Sequence, residues 1–150
     1  MKAAHTKYEQ AETLQQGVGI VTKVLLIGAQ NNAGCAMFED IVEPGSGVPR
    51  HIHLEQDETF SFLEGTFDVE VDGQFIRVSP GDVAFIPKGA VHAWKNVGGS
   101  TGRLRYILAP GFNAEEMFRA ADKATKAGEL DPKDVAKHFP IQKIVGPPLE

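Results

Sequence analysis

The stretch HIHLEQDETFSFLEG, residues 51–65, decides the fold. His51 and His53 lie two positions apart, so both imidazoles point to the same side of an extended strand. Glu58 lies five residues beyond His53, which is roughly 16 Å of extended chain. Ligands of one metal ion sit only about 2.0–2.2 Å from it. If the three side chains share an ion, the polar run at residues 54–57 must turn the chain back.

A second stretch, GDVAFIPKGAVHAWKN at residues 81–96, supplies His92 as a fourth candidate ligand. The first region follows the pattern G-x5-H-x-H-x4-E-x6-G, with Gly45, His51, His53, Glu58 and Gly65 at its named positions. The second follows G-x5-P-x-G-x2-H-x3-N, with Gly81, Pro87, Gly89, His92 and Asn96. All ten positions agree in order, and 15 residues separate the two patterns.

Together these patterns resemble the two motifs of the cupin superfamily, and the resemblance spans roughly residues 20–110. It implies an all-β fold, an antiparallel jelly-roll β-barrel, that holds one divalent metal ion through His51, His53, Glu58 and His92. Such a ligand set suits Fe, Mn, Co, Ni, Cu or Zn, and the sequence does not choose among them. Two other interpretations stay open: a closed tetrahedral site that only braces the barrel, and a metal-free barrel.

Composition narrows the classes of protein and partner. The chain has 150 residues, of which 42% are hydrophobic and 23% charged, and this is typical of one soluble globular domain. No apolar run approaches the about 20 residues of a membrane span. The net charge is −5 without a basic cluster, so nucleic acid is not an expected partner. Cys35 is the single cysteine and no secretory signal begins the chain, which favours the cytoplasm.

Short β-branched segments separated by glycine and proline turns run through the middle of the chain. The predicted strands lie at residues 18–27, 35–42, 59–63, 67–71, 74–78, 83–86, 91–97 and 103–108. No helical pattern interrupts them, which argues for an antiparallel barrel and against a βαβ fold. The sequence therefore divides into an arm at residues 1–17, a barrel at 18–110 and a helical extension at 111–150. Residues 7–16 of the arm are predicted as a short helix or a loose segment.

In the extension, a helix is predicted at residues 114–127, with Asn113 as its cap. A shorter helix follows from Pro132 to about His138, and residues 141–149 are predicted as an extended tail. Met117 and Phe118 belong to an apolar set that needs burial. The extension therefore covers either the barrel mouth, as a lid, or an outer surface or dimer partner. We expect a homodimer, because open sheet edges need protection, with the arm and residues 18–27 as the candidate edge.

Four further residues are candidates for a substrate pocket. Phe60 and Phe62 share a strand face with Glu58, and Trp94 shares one with His92. Plain core packing is the other interpretation of these aromatic side chains. Arg50 adjoins His51 and suits an anionic substrate at the barrel mouth, or is simply a solvated rim residue.

Three functions remain open at this stage. The resemblance favours a metal-dependent enzyme of the quercetinase kind, a dioxygenase acting on a small organic molecule, with Glu58 as both ligand and catalytic proton acceptor. A second hypothesis is non-redox isomerase, cyclase or lyase chemistry, in which the metal is a Lewis acid. The third is a barrel that binds or senses a small molecule without catalysis.

Overall fold

The computed structural model describes residues 2–150 and contains two antiparallel sheets that face each other across a shared interior. The strands are β1 Glu12–Gln15, β2 Ile20–Leu26, β3 Ala36–Val42, β4 Pro49–His53, β5 Asp57–Glu64, β6 Phe67–Val71, β7 Gln74–Val78, β8 Val83–Ile86, β9 His92–Asn96, β10 Gly102–Ala109 and β11 Gln142–Pro148. The helices are α1 Ala114–Lys126 and α2 Pro132–His138, and short 3-10 turns lie at Tyr8–Gln10 and Gly28–Gln30.

Strand order places neighbours in the sheets far apart in sequence. The six-stranded sheet runs β1-β2-β3-β10-β5-β8, and the five-stranded sheet runs β11-β4-β9-β6-β7. Along β10 buried and half-buried residues alternate, as expected of a strand with one face towards a core. This arrangement, with helices only near the C-terminus, confirms the predicted all-β jelly roll with a short helical addition.

Aromatic side chains fill the space between the sheets. Phe38 on β3 is fully buried, and its ring centroid lies 5.6 Å from that of Tyr106 on β10. Phe118 of α1 packs edge-on against Phe38, with centroids 4.7 Å apart. The helix therefore shares the barrel's own core, because its apolar side chains are buried against the inner face of the large sheet.

A buried carboxylate ties the N-terminal arm to the outer face of the large sheet. Glu39 has no exposed surface and accepts hydrogen bonds from Arg105, Arg103 and the hydroxyl of Tyr8. Arg103 and Arg105 flank Glu39 from the neighbouring strand, so the charge is paired and hydrogen-bonded. Tyr8 belongs to a 3-10 turn, and β1 follows it.

The structure corrects the prediction for the arm. Residues 7–16 are neither an α-helix nor loose, because they form a single 3-10 turn at Tyr8–Gln10 and then β1, which pairs with β2 from Glu12↔Val24 to Gln15↔Val21. The arm therefore supplies one outer edge of the large sheet, and β2 is an inner strand. The homodimer itself stays a prediction.

The C-terminal segment also differs from expectation in two places. Asn113 makes no side-chain cap hydrogen bond to α1, whereas Asp131 caps α2 by accepting from the backbone N–H of Lys133. Residues 141–149 are not a tail, because β11 pairs with β4 through Gln142↔His53 and Ile144↔His51. The division of the chain into an arm, a barrel and an extension, with boundaries at residues 17 and 110, stays a prediction. Strands from both end segments join the sheets of the barrel. No helix within residues 2–150 has the length and apolar character needed to cross a bilayer.

We expect Phe38→Ala to lower the free energy of unfolding by about 3–5 kcal/mol, because the substitution leaves a cavity between the sheet and α1. Phe75→Ala is the matched control, since Phe75 is 63% exposed, and it should change stability by only about 0.5 kcal/mol. Urea denaturation followed by circular dichroism measures both. Equal losses in the two variants would contradict the position of Phe38 in the core.

Candidate metal centre

Four polar side chains meet inside the barrel, and they come from both sheets. His51 and His53 project inward from β4, and His92 begins the neighbouring strand β9, where it pairs directly with His51. Glu58 projects inward from β5 in the opposite sheet. All four are buried. The structure therefore brings together the four residues that the sequence singled out.

A turn at residues 54–56 carries the chain from one sheet to the other, as the spacing between His53 and Glu58 requires. Gln56 is buried in this turn, and its amide donates to the backbone carbonyl of Pro110 at 2.6 Å. Asp57 accepts from the backbone N–H of Lys88 at 3.0 Å, which anchors the start of β5. These two bonds fix where Glu58 enters the interior.

Backbone carbonyls orient all three imidazoles. The Nδ1 atoms of His51, His92 and His53 lie 2.8, 3.0 and 3.2 Å from the carbonyl oxygens of Pro49, Ala90 and Ile141. A carbonyl only accepts, so each neutral ring carries its proton on Nδ1 and keeps the lone pair of Nε2 free. Metal-ligating histidines are commonly held in this way.

The geometry of the cluster fits a metal ion. One ligand atom from each residue can be chosen so that all four lie within 4.8 Å of one another. The Nε2 atoms of His53 and His92 are buried and have no aligned hydrogen bond within residues 2–150, although that of His53 lies 2.6 Å from Glu58 Oε2. Buried nitrogens normally have a partner. A transition-metal ion bound here would be such a partner, because it accepts nitrogen and carboxylate ligands together.

The charges within the cluster follow from burial and proximity. Burial and the neighbouring imidazoles lower the pKa of His51 to about 3, and burial also lowers the pKa of His92. Burial acts in the same direction on His53, but the charge of Glu58 outweighs it and raises the pKa of His53. For Glu58, burial is outweighed by the nearby histidines, so its pKa falls. Without metal, the site thus holds a Glu58–His53 ion pair and a neutral His51.

A cavity of about 800 Å³ opens over this cluster and is lined by His51, His53 and Glu58. Its walls are largely apolar, with Ile20 and Leu108 from the large sheet and Met117 and Phe118 from α1. Leu130 and Val135 from the region of α2 line it as well. The segment predicted as a lid or an outer covering therefore lies over the cavity that leads to the candidate metal ligands.

Of the three aromatic residues predicted for the substrate pocket, two do not line the cavity. Trp94 does. Phe60 is buried against Tyr106, with ring centroids 5.6 Å apart, and Phe62 is buried against Phe67, with ring centroids 5.7 Å apart. They share the inward face of Glu58, but each further pair of residues along a strand moves the side chain by about 7 Å. That distance takes both rings out of the site and into the core.

Arg50 also lies outside the cavity. Its guanidinium makes two hydrogen bonds of 2.8 Å to the carboxylate of Glu70 and one of 2.9 Å to the carbonyl of Pro147. Arg50 sits between His51 and Pro49, so it points to the opposite side of β4 from the histidine. It therefore holds the end of β11 in place, and its role towards a substrate anion stays a prediction.

Thr22, Asp40 and Tyr106 form a polar group in the cavity wall that was not predicted from the sequence. The hydroxyl of Thr22 donates to Asp40 Oδ1 at 2.7 Å, and that of Tyr106 donates to the same atom at 3.3 Å. A signal was present, because Glu39 and Asp40 are adjacent in a strand and one of two adjacent side chains must face inward.

The chain matches a known protein family and several known proteins. The family described as Cupin domain matches residues 38–109. The chain is 32% identical over 111 residues to an uncharacterised protein of Aquifex aeolicus, covering 72% of this chain and 87% of that protein. It is 35% identical over 75 residues to quercetin 2,3-dioxygenase of Bacillus subtilis, covering 50% of this chain but 22% of that enzyme. A tetracenomycin polyketide synthase protein, TcmJ of Streptomyces glaucescens, is 28% identical over 90 residues, which cover 59% of this chain and 60% of that one.

Solved structures share the fold. The KdgF protein of Halomonas superposes with a TM-score of 0.65 at 19% identity, over 71% of this chain and 94% of that one. A nucleoside dehydratase of Streptomyces also gives 0.65, at 13% identity, and the match covers 99% of this chain and 95% of that one. The second likeness therefore extends through the helices and β11.

We expect zinc binding to release about one proton per ion near pH 6, because His53 must lose its proton to become a ligand whereas His51 is already neutral. Proton release should decline, and apparent affinity should increase, as the pH rises through the raised pKa of His53. Titration calorimetry in two buffers with different ionisation enthalpies measures both quantities. Affinity that increases towards low pH would contradict these charge states.

Proposed function

The chain belongs to the cupin superfamily, and from that premise we propose that it is a metal-dependent enzyme acting on a bulky, largely apolar small molecule. One observation carries the proposal. Three imidazoles, each held through Nδ1 by a backbone carbonyl, converge with one carboxylate, and His51, His53 and Glu58 of this cluster line a largely apolar cavity. Cavities of this size and lining with a few convergent polar groups are typical of small-molecule sites.

The residues of the site have two roles: some would hold the metal ion, and others line the cavity beside it. His51, His53 and His92 hold the ion, and their carbonyl partners keep the rings in place. A divalent transition-metal ion held there would supply a Lewis acid. Glu58 would be the fourth ligand and is the carboxylate of the cluster that can accept a proton. Met117 and Phe118 exclude water on the side of α1.

Dioxygenase chemistry is the reaction that we propose first. It is supported by the 35% identity to a region of quercetin 2,3-dioxygenase and by a ligand set that redox-active metals accept. Non-redox cyclisation or a related isomerase or lyase reaction is the second candidate, and the similarity to a polyketide synthase protein supports it. A binding or sensing barrel without catalysis is the third, since one fold hosts many functions.

Metal content tests the site that all three candidates use. Purified protein should carry about one transition-metal ion per chain, and His53→Ala should lose most of it because one ligand is removed and Glu58 loses its charge partner. His138→Ala is the matched control, because His138 is exposed and should leave the content unchanged. Elemental analysis after extensive dialysis measures each variant. Stoichiometric metal in a variant lacking His51, His53 and His92 together would contradict the assignment.

Oxygen uptake separates the candidates. Protein reconstituted with Fe, Mn, Co, Ni or Cu and mixed with the flavonol quercetin should consume about one O₂ per flavonol lost, and zinc-loaded protein should consume none, because zinc has no redox chemistry. An oxygen electrode and the flavonol absorbance measure the two losses together. Turnover of a substrate at equal rates with and without oxygen would replace the first candidate by the second.

A further inference from the structure

The polar group in the cavity wall has no role in holding the metal. Asp40 is only 4% exposed, and within residues 2–150 no lysine, arginine or histidine forms a salt bridge with it. The arginines of the neighbouring strand, Arg103 and Arg105, both pair with Glu39 on the opposite face. A buried carboxyl without a cation destabilises a fold when it is ionised, so such groups are rare outside functional sites.

The hydrogen bonds of Asp40 leave half of its carboxyl free. Both donors, the hydroxyls of Thr22 and Tyr106, bond to Oδ1. Oδ2 accepts no hydrogen bond from any side chain or backbone group among the described residues, and Asp40 lines the cavity. One oxygen is thus fixed by the protein, and the other is available to a molecule in the cavity.

The surroundings let this carboxyl gain and lose a proton near neutral pH. Burial raises the pKa of Asp40 to about 7; hydrogen bonds from Thr22 and Tyr106 oppose the rise, and the charges of Glu58 and Glu39 add to it. Burial and the charges of Asp40 and Glu58 raise the pKa of Tyr106 far above its ordinary value, so Tyr106 remains a donor. The other ionisable residues lining the cavity are His51, His53, Glu58, Asp131 and Lys133.

We propose that Asp40, positioned by Thr22 and Tyr106, is a second proton-transfer group of this cavity and receives the acidic hydroxyl of an enol or phenol substrate. In the step, the O–H bond of the substrate breaks, its proton goes to Asp40 Oδ2, and the electron pair stays on the substrate oxygen as an enolate or phenolate. The reverse transfer returns the proton. This proposal rests on the proposed function, because it gives the apolar cavity a substrate class.

The geometry of the large sheet separates this group from the metal ligands. Asp40 lies on β3 and Glu58 on β5, with β10 between them. Tyr106 on that middle strand belongs to the cavity wall as well. A flat aromatic substrate that covers β10 can therefore meet the Asp40 group with one substituent and the metal cluster with another. Leu108 and Met117 line the same cavity and offer apolar surface to the ring of such a substrate.

A pair of probes isolates the hydroxyl contact. 7-Hydroxycoumarin and coumarin are flat apolar molecules that differ by one phenol group. We expect zinc-loaded wild-type protein at pH 7 to bind the hydroxylated probe about tenfold more tightly, since a hydrogen bond to a charged acceptor is that strong. Asp40→Asn should lose this preference and bind coumarin unchanged. Asp68→Asn, on the surface with Arg77, is the matched control and should behave as wild type.

The pH dependence gives a second, independent readout. The preference for 7-hydroxycoumarin should grow from pH 5 to pH 7 in wild-type protein as Asp40 ionises, and it should not vary in Asp40→Asn. Thr22→Val removes a donor to the carboxylate and should shift the transition to higher pH. Fluorescence titration measures every affinity, and elemental analysis confirms that each variant keeps its zinc.

Several results would overturn the proposal: no preference in wild-type protein, no saturable binding of 7-hydroxycoumarin, or equal preference in wild-type protein and Asp40→Asn. These results can be distinguished from a failure of the metal assignment. Absence of bound zinc in wild-type protein would defeat the metal assignment alone, and the probe comparison would then be made with the zinc-free protein. Zinc-loaded Asp40→Asn that binds both probes as wild type does would defeat only the role of Asp40.

Discussion

The bond between each imidazole Nδ1 and a backbone carbonyl is the constraint on which the rest of the structure depends. Pro49, Ala90 and Ile141 supply the carbonyls. Two of these precede their histidines by two residues, so His51 and His92 are each supported by the chain next to them. The third comes from the residue just before β11, 88 positions from His53. The C-terminal strand must therefore lie in the sheet for His53 to be held in its orientation.

That requirement explains why the end of the chain is tied down so firmly. Arg50 bonds to Glu70 and to the carbonyl of Pro147, which fastens β11 against β4 from the outer side. On the inner side, α1 reaches the core through Phe118 and closes the cavity above the cluster. Residues that lie outside the motifs thus determine the orientation of one ligand, the enclosure of the site and the character of the space that a substrate enters.

Local patterns in the sequence were sufficient for the barrel and the cluster. The alternation of His51 and His53, the turn required before Glu58 and the position of His92 all depend on short-range geometry, and the structure brings these residues together. Contacts between distant segments were not predictable in this way. These contacts depend on which strands become neighbours. They include the pairing of β11 with β4, the hydrogen bonds between Arg50 and Glu70, and the position of Asp40 opposite Thr22. Phe60 and Phe62 lie in the core and do not line the cavity, because a shared strand face does not specify depth.

X-ray absorption at the zinc edge of the reconstituted protein tests most directly whether a single ion is held by His51, His53, His92 and Glu58. Such a site predicts a first shell of nitrogen and oxygen ligands at about 2.0–2.2 Å. It also predicts outer-shell scattering from three imidazoles, which should fall to two in His92→Ala. A spectrum without imidazole scattering, or one that His92→Ala leaves unchanged, would contradict the account.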